Sequence, residues 1–244
     1  MSHKWTRGLS WLALVLAVLA TIAAFTGMTL ARVDRIEKLD GFAALVLSTP
    51  VAAFALLIAI IALVLNWRAG WPARRAALLG FLIALGFVGS LAVRVAMSAD
   101  APMIHDATTD LADVPQFETI ALPEDNLRGL DNEAEWVALH EKGYPDLRSV
   151  VLDRTVEQTI RDAEVLARER GWTIRDVAPE EGRLEATAYA SWIRFEDEVV
   201  IRARPDGAGR SLVDMRSVSR VGVGDLGVNA ERIRDFLEDL AAVR

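Results

Sequence analysis

Three long apolar runs open the chain, and a region of mixed, alternating pattern follows them. Leu9–Leu30 is 22 residues without a charge, and Phe42–Leu65 is 24. Ala76–Val93 is 18 residues, extended past Arg94 by Val95–Met97. Each is long enough, as a helix, to cross the ~30 Å of a bilayer's hydrocarbon. The first run follows Lys4 and Arg7, as the apolar part of a cleaved signal peptide would. It is longer than such a segment, and two more runs follow, so a three-span anchor over residues 1–98 is the expectation. The spans are placed at about 9–30, 42–65 and 76–97.

Beyond Met97 the period changes. Residues 99–148 hold Pro102, Pro115, Pro123 and Pro145 and keep no apolar period, which predicts an extended arm over Ala101–Pro123 and a short helix at Glu133–His140. From Ser149 the pattern is regular. Ser149–Leu152 reads as a strand. Val156, Ile160, Ala163, Leu166 and Ala167 mark one face of a helix that Asp153 or Thr155 caps and Gly171 ends. Strands follow at Trp172–Val177, Arg183–Ser191, Glu196–Arg204 and Ser211–Ser219, with turns at Pro179–Gly182 and Pro205–Arg210. A last helix, Ala230–Val243, carries Ile233, Phe236, Leu237 and Leu240 on one side, with Asn229 as its expected N-cap.

The order β-α-β-β-β-β-α implies an α+β domain over 149–244, wrapped by the arm, with an antiparallel sheet and both helices on one face. A hairpin centred on Ala208 sets Arg202 opposite Asp214, Glu196 opposite Arg220, Ile201 opposite Met215 and Ala203 opposite Val213. Charges then share one face and apolar groups the other, and a slip of one residue destroys the match.

Charge separates the same two regions. Residues 1–99 hold nine Lys/Arg and three acids; the remainder holds 18 basic and 31 acidic residues, a net of −13. So acidic a domain argues against nucleic acid as a partner. With three spans, Lys4, Arg7, Arg68, Arg74 and Arg75 share a side, against Arg32, Arg35 and Lys38 on the other. The positive-inside rule puts the N-terminus in the cytoplasm of an inner membrane and the C-terminal domain in the periplasm. No ionisable residue sits mid-span, unlike most transporters, and Ala55, Ala59, Ala62, Gly80, Gly86, Gly89 and Ser90 suit close helix packing. There is no cysteine, which excludes disulfides, thiolate metal sites and a Cys nucleophile.

Several segments resemble one bacterial family. They are Ile104–Asp110 (IHDATTD), Tyr144–Leu147 (YPDL), Gly171-Trp172, Phe195–Arg202 (FEDEVVIR) and Asp214–Ala230 (DMRSVSRVGVGDLGVNA). Together they are similar to the domain of unknown function 1499 over most of residues 100–243. The resemblance implies no established activity or substrate. The family's strand often shows paired aspartates where this chain has Asp197-Glu198.

Candidate chemistry concentrates in Arg216–Asn229. Arg216 and Arg220 carry the forked donors that bind carboxylate or phosphate, and Ser217 and Ser219 add hydroxyls. Glycines and Asp225 lead into a helix start at Asn229, where anions are favoured. This predicts an anionic site; the alternative is that the arginines pair internally with Glu196, Asp225 or Asp110. His105, Asp106, Asp110 and Asp113 are the other candidates, as metal ligands, as an acid–base pair or as turn-forming residues. No metal-ligand spacing, nucleophile elbow, phosphate loop or dinucleotide fingerprint occurs, so no cofactor is implied. The expectation is a non-enzymatic membrane-anchored domain that binds an envelope protein or an anionic envelope ligand. A hydrolase using Asp106, His105 and Asp110, or an accessory subunit of a membrane complex, is the rival. The oligomeric state is not encoded in any pattern seen.

Overall fold

A computed structural model describes residues 3–207 and 209–243, so the centre of the expected hairpin, Ala208, lies outside the described residues. Contacts divide the chain into two compact units, Met1–Met97 with Trp192–Arg194, and Ser98–Ser191 with Phe195–Arg244.

Helices α1 (His3–Arg32), α2 (Lys38–Arg68) and α3 (Arg74–Met97) are each long and apolar enough to cross a membrane. They outrun the apolar stretches because flanking polar residues continue the helical turns. All three pack on one another through small residues. A Cβ on Gly80 would lie 2.8 Å from the Leu14 backbone nitrogen, and one on Gly27 would lie 2.3 Å from the Ala44 Cβ. Gly86 and Gly89, expected to serve the same packing, have nothing within 4 Å of such a Cβ. Polar links join α1 to α2: Lys38 Nζ donates to the Ala31 carbonyl at 2.9 Å, and a second link is buried. Buried Asn66 donates to Ser10 Oγ at 2.9 Å and accepts from the Ala73 backbone N–H at 2.8 Å.

The second unit is α+β. Its elements are β1 (Asp106–Thr108), α4 (Glu133–Gly143), β2 (Val150–Leu152), α5 (Val156–Glu169), β3 (Thr173–Ala178), β4 (Arg183–Ala190), β5 (Phe195–Pro205), β6 (Ser211–Ser219) and α6 (Val228–Ala242). The sheet is antiparallel, in the order β1-β6-β5-β4-β3, with β2 also on β6. Arg202 pairs with Asp214, Ile201 with Met215 and Ala203 with Val213, the register the alternation demanded. The Arg220 N–H donates to the Glu196 carbonyl at 3.0 Å and continues it.

One face of the sheet is apolar. Leu184, Ala186, Val199, Ile201, Val213 and Met215 meet Ile160 and Ala163 of α5 and Ile233 and Phe236 of α6. Phe236 also stacks on Trp172 at 4.8 Å. Thr155 caps α5 by accepting from the Gln158 N–H. Gly171, at φ 74°, closes it with the paired carbonyl bonds of a left-handed cap. The other face is polar, and the arm covers it. Fully buried Glu185 accepts the N–H groups of Glu118, Thr119 and Ile120, at 2.6 to 3.2 Å.

The arm's own strand, β1, escaped the sequence pattern. Three residues are too few to show a period, and the strand exists only because β6 offers an edge at Val218–Arg216.

Candidate functional site

Arg216 projects from β6 onto the polar face and meets Asp106 of β1 with the fork of its guanidinium. Nε lies 3.0 Å from Oδ1 and Nη2 lies 2.6 Å from Oδ2. Nη1 donates to the Pro115 carbonyl at 3.2 Å, and the Phe117 ring lies 5.8 Å from Cζ. Asn126 continues the network, donating to Asp106 Oδ2 at 2.8 Å and facing His105 Nε2 at 3.3 Å. Burial, with the Arg128 guanidinium nearby, pushes His105 below the ordinary histidine value. The arm therefore folds back on Arg216–Asn229, and its backbone joins in: the His105 carbonyl accepts from the Ser219 N–H and from Asn229 Nδ2, both at 2.9 Å.

Ser217 and Ser219 stand on the opposite, helix-facing side of the sheet. Ser217 Oγ donates to Asn229 Oδ1 at 2.7 Å, and Asn229 Nδ2 donates to Ser219 Oγ. Arg232 bonds Asn229 Oδ1 and pairs with Asp197 at 2.5 Å. Asn229 is thus not the N-cap of α6. It is the second helical residue, buried, tying the helix to β6 and to the arm. The N-cap position is held by Gly227, at φ 82°, and Asp225 two residues before it supplies the acceptor, taking the Gly227 N–H at 2.9 Å and the Asn229 N–H at 2.6 Å. Burial raises the Asp225 carboxyl above the usual carboxylate range.

Arg220 is part-exposed and pairs with Glu198 at 2.7 Å, with Glu196 at 3.8 Å. Adjacent Asp197 and Glu198 point to opposite sides of the sheet, one to Arg232 and one to Arg220, so they cannot chelate together. Among the described residues no group of three or more His, Asp or Glu is placed to hold a metal ion.

Asp110 parts company with His105 and Asp106. Its carboxylate accepts from the backbone N–H groups of Ala112 and Asp113 and from Arg204 Nη2 at 3.2 Å. Burial works to raise it, but these three bonds hold it below the usual range. Arg204 also reaches Asp113 and Asp214.

This cluster walls a cleft of about 540 Å³ between the arm, the end of α4 and β5–β6. Its lining carries two acids, Asp110 and Glu141, beside two bases, Arg148 and Arg204, with Thr109, His140, Tyr144 and Ser149 as further polar residues. His140 is almost wholly buried; its Nε2 accepts the Thr108 N–H at 3.0 Å, and burial lowers its pKa. Its ring meets Trp136 and Tyr144 edge-on at 5.7 and 5.4 Å. Trp136 in turn donates to the Asp106 carbonyl at 3.0 Å. Exposed Arg148 donates to its own neighbour's carbonyl, Leu147, at 3.1 Å, and no carboxylate pairs with it among the described residues.

Sequence reasoning nominated neither His140 nor Arg148. The signal was present as a four-residue spacing, Trp136-His140-Tyr144, that sets three rings on one helical face. Of the nominated residues, only Asp110 lines the cleft.

These features define a membrane-type protein with an α+β domain closed by its own N-terminal arm. Residues 106–240 match the family described as Protein of unknown function (DUF1499), more than half of the chain, and the chain belongs to that family. No curated protein matches it.

Proposed function

We propose that the chain is an inner-membrane protein whose periplasmic domain is a non-enzymatic binding module of the cell envelope. One observation carries the reading. The nominated arginines, Arg216 and Arg220, are already paired with the domain's own carboxylates, whereas Arg148 lines a cleft with no carboxylate at ion-pair distance among the described residues, Asp146 acting on it only from farther off. In a domain with so many spare acids, an arginine left without one suits an anionic partner from outside. The Arg216–Asp106 pair then has a positioning role, holding the arm that walls the cleft. The hydrolase alternative loses support, because His105 and Asp106 sit in the buried arm network and Asp110 sits in the cleft. The three helices serve as anchor in the bilayer, and nucleic acid is not a partner.

A photo-cross-linking residue placed at Glu141, exposed on the cleft, tests this in native membranes. A discrete adduct that disappears with Arg148→Ala is expected. No adduct, or one unaffected by that substitution, refutes the reading. The absence of cysteine permits a topology test alongside. Val165→Cys, on an exposed position of α5, should react with an impermeant maleimide added to spheroplasts, and Ala69→Cys should not. The reverse pattern inverts the orientation.

A further inference from the structure

The loop from β6 to α6, Arg220–Gly227, carries two large apolar side chains to the surface. Val223 is 54% exposed and Leu226 55%. Leu226 also holds a left-handed backbone, at φ 59°, a conformation that crowds the Cβ of any L residue. Neither burial nor backbone preference accounts for a leucine at this position. Met103, 64% exposed, joins them. Its sulfur would lie 2.5 Å from a Cβ on Gly224, so it rests against the middle of the loop.

The loop is fastened from behind. The Asp225 N–H donates to the Ile104 carbonyl at 3.1 Å, and Arg128 donates to the Gly222 carbonyl at 2.9 Å and to the Ser219 carbonyl. Asp225 is the one ionisable residue between Val221 and Val228, and its carboxylate is engaged by the Gly227 and Asn229 N–H groups. Arg220, at the start of the loop, is paired with Glu198. What the loop offers outward is therefore apolar.

The chain's own path says what stands in front of it. Helix α3, apolar enough to cross a membrane, ends at Met97, and Met103 is six residues on. The Ala101 N–H donates to the Ser98 carbonyl at 3.1 Å, a turn that shortens this connection further. Met103 is thereby kept within about 18 Å of Met97, whatever course the linker takes. The far end of the loop is held as near: a Cβ on Gly227 would lie 3.3 Å from the Ala101 Cβ. The polar layer of a bilayer extends about 5–8 Å beyond the hydrocarbon on each side. Apolar side chains tethered so close to the end of a span have lipid within reach.

We propose that Met103, Val223 and Leu226 form a lipid-contacting edge, which dips into the boundary between headgroups and acyl chains of the bilayer that holds the helices. There the side chains leave water while the backbone of the loop stays hydrated. The domain's net charge of −13 and the exposed Asp100 on the linker give anionic lipid no advantage, so the contact is apolar and zwitterionic lipid suffices. The edge rests on the reading of the three helices as a bilayer anchor and is independent of the envelope-partner reading.

The chain has no cysteine, so single nitroxide labels can be placed on the full-length protein in zwitterionic nanodiscs through Val223→Cys, Leu226→Cys, Val165→Cys or Phe54→Cys. Power-saturation electron paramagnetic resonance then compares access of oxygen, which partitions into lipid, with access of a nickel chelate, which stays in water. The oxygen-to-nickel ratio at 223 and 226 should be severalfold above that at 165, exposed on α5, and below that at 54, exposed in the middle of its span. The double variant Met103→Gln, Leu226→Asn should bring the ratio at 223 down toward that at 165, with the melting temperature unchanged or slightly raised, because asparagine suits the left-handed backbone. Ratios at 223 and 226 equal to that at 165, or a ratio unmoved by the double variant, overturn the proposal. So does poor access of both reagents, which would mean that protein, a second copy or another chain, covers the edge. A label at 54 that meets water would instead refute the anchor reading and take the lipid-contacting edge with it.

Discussion

The two units bury opposite kinds of residue. Inside the three-helix unit lie Ala13, Ala17, Ala55, Ala59 and Gly80, while Trp11, Leu19, Phe25, Leu47 and Phe54 face outward. Inside the α+β unit lie Phe236, Ile160, Leu184 and Met215, and the outward residues are mostly charged. The difference follows from the solvent each meets. Water expels large apolar side chains, so they make the core of the second unit. Lipid tails are as apolar as leucine, so helices in a bilayer gain little by hiding it. They gain by close approach, and only alanine, glycine and serine permit that. The polar groups follow the same rule in reverse. The first unit buries a few uncharged ones, such as Asn66 and Ser10, whereas the second buries the Arg216–Asp106 pair in a fully bonded network.

The largest expected effect tests the core of the second unit against the lipid-facing surface of the first. Phe236→Ala should destabilise the domain by about 3–5 kcal/mol in denaturant unfolding. Phe54→Ala, 56% exposed, should leave the stability of the anchor in bilayers nearly unchanged, and equal losses would break the contrast. Arg216→Ala comes close behind. It strands the Asp106 carboxylate, 4% exposed, at a cost of about 3–5 kcal/mol. The double variant Arg216→Met, Asp106→Leu should recover much of the loss, and a failure to recover would mean the pair does more than satisfy itself.

Within the bundle, Gly80→Ala should cost about 1–3 kcal/mol, because its new methyl meets the Leu14 backbone, which cannot give way like a side-chain tip. Gly86→Ala, with open space around it, should be neutral or slightly stabilising. Thermal unfolding in bicelles distinguishes the two positions, and similar behaviour would remove the close-packing argument.

The smallest effect is one of pH, confined to the second unit. His105 and His140 titrate below the ordinary value of about 6.5 because burial disfavours their charged forms. The unfolded chain then binds more protons between the folded and unfolded values, so stability is full above about pH 6.5 and falls as the pH drops through that window. The melting temperature should decline by about 5 °C or less from pH 7 to pH 5. A His105→Asn, His140→Gln variant should show a flatter profile, and a rise in stability on acidification would contradict the assignment.

The sequence by itself determined what depends on neighbours along the chain. Runs of apolar residues marked the three helices, since a span is a matter of length and composition alone. Alternation marked β4, β5 and β6, and charge matching at Arg202–Asp214 made their register legible, because a one-residue slip would bury charge. The α5 limits were legible in Thr155 and Gly171, whose signals are local. The family pattern marked the segments around Arg216 and His105, but not that they meet.

What only the tertiary structure decided depends on groups far apart in sequence. The three-residue β1 has no pattern of its own and exists by pairing with β6, about 110 positions on. Asn229 looks like a cap because its residue type suits one, yet Ser217, Ser219 and the His105 carbonyl claim its side chain, while Gly227 holds the cap position and Asp225 accepts the Asn229 N–H. Arg216 looks like an open anion receptor until the arm returns and Asp106 fills it. His140, Tyr144 and Arg204 carry no sign in the sequence that their donors would be left unmatched, because that depends on every group packed around them. The cleft arises where the arm, α4 and the sheet fail to close completely on one another, and such a gap is a property of the packed whole.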